Sequence, residues 1–128
     1  MGDDMDCIFC KIAKGEMPGN ILYQDDLVAV IMDINPTTDG HALIIPKKHY
    51  EDFLSVNDEV ISHMYKVAKN LGPEMMQKLN AKSLTLLINY GEDQIVKHLH
   101  LHLLPDYLKS VKNGVKRSVE ENYKILKN

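Results

Sequence analysis

A chain of 128 residues, 45% hydrophobic and 26% charged, is long enough for one compact domain and too apolar for disorder. Its net charge of −3 gives no reason to expect nucleic acid as the main partner. No apolar run approaches the roughly 20 residues that cross a bilayer, and the acidic start MGDDMD lacks the make-up of a signal peptide, so one cytoplasmic domain over residues 1–128 with no membrane contact is expected.

The first segment holds two cysteines, Cys7 and Cys10, in CIFC. A structural disulfide is out of place in a reducing compartment. A redox CxxC needs a strand before it, and the acidic residues ahead of Cys7 do not supply one. Metal binding is the leading use, but a cysteine pair is half of a tetrahedral zinc site, and the other ligands have to come from elsewhere. FCKIAKGE then predicts a short helix stopped by Gly15 and Pro18. NILYQDDLVAVIMDI predicts a hairpin turning at Gln24-Asp25-Asp26. NPTTDG is a turn closed by Gly40, and HALIIP is a strand ended by Pro46.

From Ser55 the apolar period changes to three and four. Val60, Ile61, Met64, Val67, Ala68, Leu71, Met75 and Leu79 mark one face of a long helix. Ser55 and Asp58 resemble a capping box at its start, and Gly72-Pro73 is expected to kink or break it. SLTLLINY and QIVKHLHLHLLP are the strongest strand candidates, joined by a loop around YGED and ended by Pro105. The basic run LKSVKNGVKR reads as a solvated loop rather than a polyanion site, and SVEENYKIL as a last helix with Ser118 and Glu121 as its capping box. Five strands joined by tight turns, with a long helix between them, predict an α+β fold: an antiparallel sheet with the helix packed on it.

The strand candidate VKHLHLHLLPDY poses the functional question. Alternation sends Leu99, Leu101 and Leu103 to one face, suited to burial under the helix, and His98, His100 and His102 to the other. Three imidazoles in register are about 7 Å apart at their Cα atoms, and His41 opens another strand. Such a row suits metal ligation. It equally suits nucleophilic attack on phosphorus, because imidazole is largely unprotonated at neutral pH and its neighbours can bind phosphate oxygens. Residue chemistry leaves both open.

His98-Leu99-His100-Leu101-His102-Leu103-Leu104 resembles the His-φ-His-φ-His-φ-φ signature of the histidine triad (HIT) family of nucleotide-binding hydrolases and transferases. CIFCKIAKGEMP and DDLVAVIMDINPTTDGHALIIPKKH resemble further blocks of that family, in the family's order. The likeness covers most of a core at 7–105, leaves 106–128 as a C-terminal extension, and is nearest to the Hint-like branch. It implies a HIT-like sheet continued across a homodimer, and hydrolysis at the α-phosphate of purine nucleoside phosphoramidates or related conjugates. The alternatives within this resemblance are a dinucleoside polyphosphate hydrolase and a nucleotide-binding regulatory module with little turnover.

Residue by residue, the resemblance makes His100 the nucleophile and His102 and His41 phosphate contacts. Asp33 matches the carboxylate that binds ribose hydroxyls, and Ile8, Phe9, Ile12, Ile31, Met32 and Ile34 match the walls around the base. Asn89 matches a polar residue near the phosphate or leaving group, with Gln94 placed beside it among the nucleotide-binding residues. Some relatives hold a structural zinc with ligands matching Cys7, Cys10, His49 and His98; no redox cofactor is implied. The loop NYGEDQIVKH departs from the family. It is shorter, lacks a small-residue pair before Gln94, and carries Ile95 where Hint-like proteins often have serine.

Overall fold

The computed structural model describes residues 7–128; the acidic start at 1–6 lies outside the described residues. Five strands form one antiparallel sheet, β1 (Ile21–Gln24), β2 (Val28–Met32), β3 (Ala42–Pro46), β4 (Leu84–Leu87) and β5 (Leu101–Pro105), in spatial order β1-β2-β3-β5-β4. Helix α1 (Ile8–Ala13) precedes the sheet, α2 (Asp58–Leu79) joins β3 to β4, and α3 (Tyr107–Asn113) and α4 (Val119–Lys127) close the chain. The expected α+β architecture, with five strands and a long helix on the sheet, is what forms.

β2 and β3 are buried at every position, which explains why their sequences read as continuous apolar runs. One face packs under α2: Val28, Val30, Ala42, Ile44, Leu99, Leu101 and Leu103 meet Val60, Met64, Val67, Ala68 and Met75. The leucine face of the histidine run is thus the helix face, as alternation requires. The opposite face carries Ala29, Ile31, Leu43 and Ile45 and is covered by Phe9 and Ile12 of α1. Truncating a fully buried side chain such as Met64 to Ala is expected to cost about 2–5 kcal/mol.

Four local expectations change. Helix α2 is capped by Asn57, whose side chain accepts from the Val60 N–H at 2.9 Å, whereas Ser55 turns back to Asp52. Pro73 does not break α2: the buried face continues across it from Met64, Val67 and Ala68 to Met75, and that burial offsets the missing hydrogen bond. The triad strand pairs only from Leu101. Extending its register with β3 would set Leu99 opposite Pro46, which has no N–H to give; Leu99 N–H bonds the Tyr50 carbonyl instead. Part of the basic loop forms α3, a helix with no apolar stripe to announce it, since Leu108 and Val111 are exposed.

The segment after 105 is built into the domain. Leu126 joins the main core, with Val119 and Tyr123 packed against it. Ser118 and Glu121 form the expected capping box on α4.

Candidate active site

Sheet register fixes where the histidines point. Leu43 of β3 is directly opposite His102 of β5, and Ile31 of β2 is opposite Leu43, so these three side chains lie in one row on the α1 face. That face opens into a cleft of about 560 Å³. Ile8, Phe9 and Ile12 come from α1, Ile31, Met32, Asp33 and Ile34 from β2 and the residues after it, Asn89 from the segment just after β4, and His100 and His102 from the triad segment. Ten of the candidate catalytic and nucleotide-binding residues therefore line one cavity, and Ile95 of the departing loop lines it too. Ile31, Phe9 and Ile12 are its buried wall, whereas Ile8 and Ile34 stand at its mouth, 40% and 75% exposed. Met32 touches the cleft while packing in the core beneath α2.

Two expected contacts lie elsewhere. Gln94 is buried outside the cleft, and its amide nitrogen donates to the Glu51 and Val96 carbonyls at 2.7 and 3.0 Å. It is a strut for the shortened loop, placed there because a buried amide must be satisfied. His41 sits behind His102 rather than on the cleft wall.

Hydrogen bonds to groups that can only accept or only donate set each ring's tautomer. His100 Nδ1 is 2.7 Å from the His98 carbonyl and must donate to it, which leaves the lone pair at Nε2. The Thr37 N–H donates to His41 Nδ1 at 3.0 Å, so His41 carries its proton at Nε2, 2.9 Å from His102 Nδ1 and 3.4 Å from the Asp33 carboxylate. His102 Nδ1 then accepts, and its proton resides on Nε2, which is buried and has no hydrogen-bond partner among the described residues. A neutral donor left unsatisfied beside a cleft is equipped for an incoming oxygen acceptor.

The electrostatics agree with neutral rings. Burial lowers the pKa of His100, against the opposing pull of the His98 carbonyl and the Asp33 carboxylate. Burial lowers His41 as well, with Asp33 opposing it. For His102, burial followed by the neighbouring His100 and His41 charges pushes the pKa down to about 4. Phe9 packs edge-on against His100 with ring centroids 5.2 Å apart, which shields the imidazole from water on that side.

Phe9 also packs edge-on against His98, at 5.8 Å between ring centroids, and His98 belongs to a second cluster. The Sγ atoms of Cys7 and Cys10 and the Nδ1 atoms of His49 and His98 all fall within 4.8 Å of one another. His98 Nδ1 is 3.2 Å from Cys7 Sγ and 3.3 Å from Cys10 Sγ, and His49 Nδ1 is 3.2 Å from Cys10 Sγ. His98 Nε2 donates to the Pro46 carbonyl at 2.8 Å, which turns the basic Nδ1 toward the thiols. Two thiols and two imidazoles, one ring oriented from behind by a carbonyl, fit a closed tetrahedral zinc site. Asp33, His41 and His102 also approach one another within 4.8 Å, but there the His41 Nε2–H already serves His102.

Sequence reasoning missed the main-chain groups that set these tautomers, the Thr37 N–H and the carbonyls of Pro46 and His98, because almost any residue carries such groups. It also left several cleft residues unnamed, among them Asn20, Leu43 and Asp93. Of these three, Leu43, apolar on a strand facing Ile31, carried a signal.

Residues 14–109 match the model of the HIT domain family. An uncharacterized HIT-like protein of Methanocaldococcus jannaschii is 40% identical over 103 residues, 79% of either chain. The adenylylsulfatase HINT3 of Arabidopsis thaliana is 37% identical over 102 residues, 78% of this chain and 52% of that one. A zinc-bound histidine triad family protein from Mycobacterium smegmatis superposes with a TM-score of 0.87 at 31% identity, over 97% of this chain and 92% of that one.

Proposed function

The chain belongs to the HIT family, and from that premise we propose that it hydrolyses purine nucleoside phosphoramidates or related nucleotide conjugates at the α-phosphate. The observation that carries this reading is the tautomer of His100: with Nδ1–H held by the His98 carbonyl, the lone pair at Nε2 belongs to a side chain that lines the cleft. Nε2 attacks phosphorus and forms the N–P bond while the bond to the leaving amine breaks, and the amine departs with a proton from solvent. Water then attacks phosphorus and releases the nucleoside monophosphate. The N–P electron pair returns to Nε2 and the water proton goes to solvent. Through both steps the His98 carbonyl accepts from Nδ1–H and stabilises the imidazolium character of His100. His102 Nε2–H donates to a phosphate oxygen as charge develops there. Asp33 accepts from the ribose hydroxyls, and the base lies against Phe9, Ile12 and Ile31, with Ile8 and Ile34 at the mouth. Asn89 is placed toward the leaving group.

The Cys7, Cys10, His49 and His98 site would hold a structural zinc, for which the orientation of His98 by the Pro46 carbonyl is the support. Bound there, the metal would tie α1 to the triad segment and leave no open coordination position. A cytoplasmic setting suits these thiols, and no helix among the described residues is long and apolar enough to cross a membrane. The β4 edge, where Leu86 is 37% exposed, is the place for a partner copy to continue the sheet in a homodimer.

The test is intact-mass analysis after rapid mixing with adenosine 5′-phosphoramidate or adenosine 5′-phosphosulfate, wild type against His100→Ala. The expected result is an acid-labile adenylyl adduct on wild type only. Nucleotide binding with no adduct and no turnover would leave a regulatory binding module in place of the enzyme.

A further inference from the structure

The turn after β2 is held from a side that the chemistry does not use. Asp39 lies outside the cleft, against a small pocket beside α3. Its Oδ1 accepts from the Arg117 N–H at 2.9 Å, the Lys116 N–H at 3.2 Å and Asn122 Nδ2 at 3.0 Å, and its Oδ2 from the Lys116 N–H at 3.0 Å. These donors are 77 to 83 residues further along the chain. Asn122 is 1% exposed, and its Oδ1 accepts from Arg117 Nε at 2.8 Å, so Asp39, Arg117 and Asn122 close a ring of hydrogen bonds. A carboxylate that gathers two consecutive main-chain N–H groups and a buried amide is a strong anchor, since bonds to a charged acceptor are the stronger kind.

The other end of the same turn holds a functional ring. His41 is two residues from Asp39; the Thr37 N–H donates to its Nδ1, and its own N–H donates to the Thr38 carbonyl at 3.2 Å. Between them Gly40, at φ +84°, lies against Leu79 at the end of α2. The path from the C-terminal segment to the cleft is therefore continuous: Arg117 and Asn122, Asp39, the turn, Thr37 N–H, His41, His102 and its unsatisfied Nε2–H.

We propose that Asp39 is a positioning residue through which the C-terminal segment fixes the tautomer and direction of the His41–His102 pair. Its effect on turnover rests on the proposed hydrolase reading; its effect on the two rings does not. Freed from Asp39, the turn presents the Thr37 N–H less rigidly, His41 samples both neutral tautomers, and the His102 donor is aimed less well at the transition state. Misplacement of this kind is expected to lower kcat by about 10- to 100-fold, with KM little changed because ground-state contacts remain.

The experiment uses the full-length protein with Asp39→Ala, which removes the acceptor, and Asn122→Ala as a second variant that loosens the same ring without altering the turn. Amide exchange reports Lys116 and Arg117, long-range 1H–15N NMR reports the ring nitrogens of His41 and His102, and steady-state kinetics uses adenosine 5′-phosphoramidate. The expected result is faster exchange at Lys116 and Arg117, mixed tautomers at His41, and a fall in kcat, each milder in Asn122→Ala. Faster exchange with both rings unchanged would overturn the proposal, because the segment would then be only a structural tether. Protected amides in Asp39→Ala would also overturn it, since Asp39 would not be the anchor. If wild type shows no turnover, the hydrolase reading fails while the ring nitrogens still decide the anchor.

Discussion

The main-chain carbonyl of His98 accepts the Nδ1 proton of His100 at 2.7 Å. The same His98 gives its own Nε2 proton to the Pro46 carbonyl at 2.8 Å and turns Nδ1 toward Cys7 and Cys10. One residue therefore faces the cysteine cluster with its ring and orients the neighbouring imidazole with its backbone. Whatever holds the His98 ring in place also holds the carbonyl that fixes the His100 tautomer.

His100→Ala removes the lone pair that the cleft presents while leaving the apolar wall of Phe9, Ile12 and Ile31 in place. Turnover of adenosine 5′-phosphoramidate should fall by about 10⁴-fold or more, as when a nucleophile is deleted from an enzyme that retains its binding site. AMP affinity should stay within a few-fold. Single-turnover kinetics and calorimetric titration separate the two; a parallel loss of binding and rate would make His100 a binding residue.

Zinc should copurify with the protein, and Cys7→Ser or chelation should remove it. Because a ligand that binds only the folded state stabilises it by mass action, chelation should lower Tm by about 5 °C or more. Turnover should fall too, through loosening of the His98 carbonyl. Elemental analysis with differential scanning calorimetry checks this, and a Tm indifferent to chelator would remove the structural role.

Acid should destabilise the fold through His102. Its neighbours are His100, His41 and Asp33, and its folded pKa is pushed down to about 4. The unfolded imidazole titrates near 6.5, so between these values the unfolded chain binds more protons. Stability is then undiminished above about pH 6.5, declines as pH falls toward 4, and loses nothing further from this ring below that. Urea midpoints across that range should show the slope, and His102→Gln should flatten it.

Gly40→Ala should destabilise the turn that carries His41. Gly40 sits at φ +84°, and an added Cβ would lie 2.4 Å from Leu79 Cδ1. Left-handed backbone alone costs a non-glycine residue about 1–2 kcal/mol, and the contact adds to it. Denaturant unfolding of the single variant measures this: a loss of only about 1–2 kcal/mol would mean that Leu79 yields freely, and a smaller one would remove the backbone argument as well.

Much of the architecture was legible because it rests on periodicity. Val28 to Met32 and Ala42 to Pro46 read as strands since both sheet faces are buried, and Leu99, Leu101 and Leu103 declared the helix side of the triad by alternation. Most of the cleft was legible through the resemblance of its blocks to a family. Helix α3 was not, because it buries only Ser110 and has no apolar stripe to read. Pro73 misled for the opposite reason: a local helix breaker was outweighed by burial on both sides of it.

By itself the sequence determined which side chains exist to do chemistry, and through alternation which face of the sheet they share. Only the tertiary structure decided what state each imidazole holds. The proton positions on His41, His98, His100 and His102 depend on the Thr37 N–H, the Pro46 carbonyl, the His98 carbonyl and one another. The carbonyls among these are carried by every residue and the N–H by every residue but proline, so no choice of amino acid announces them. They act on a ring only once the chain has folded and brought them within hydrogen-bond reach.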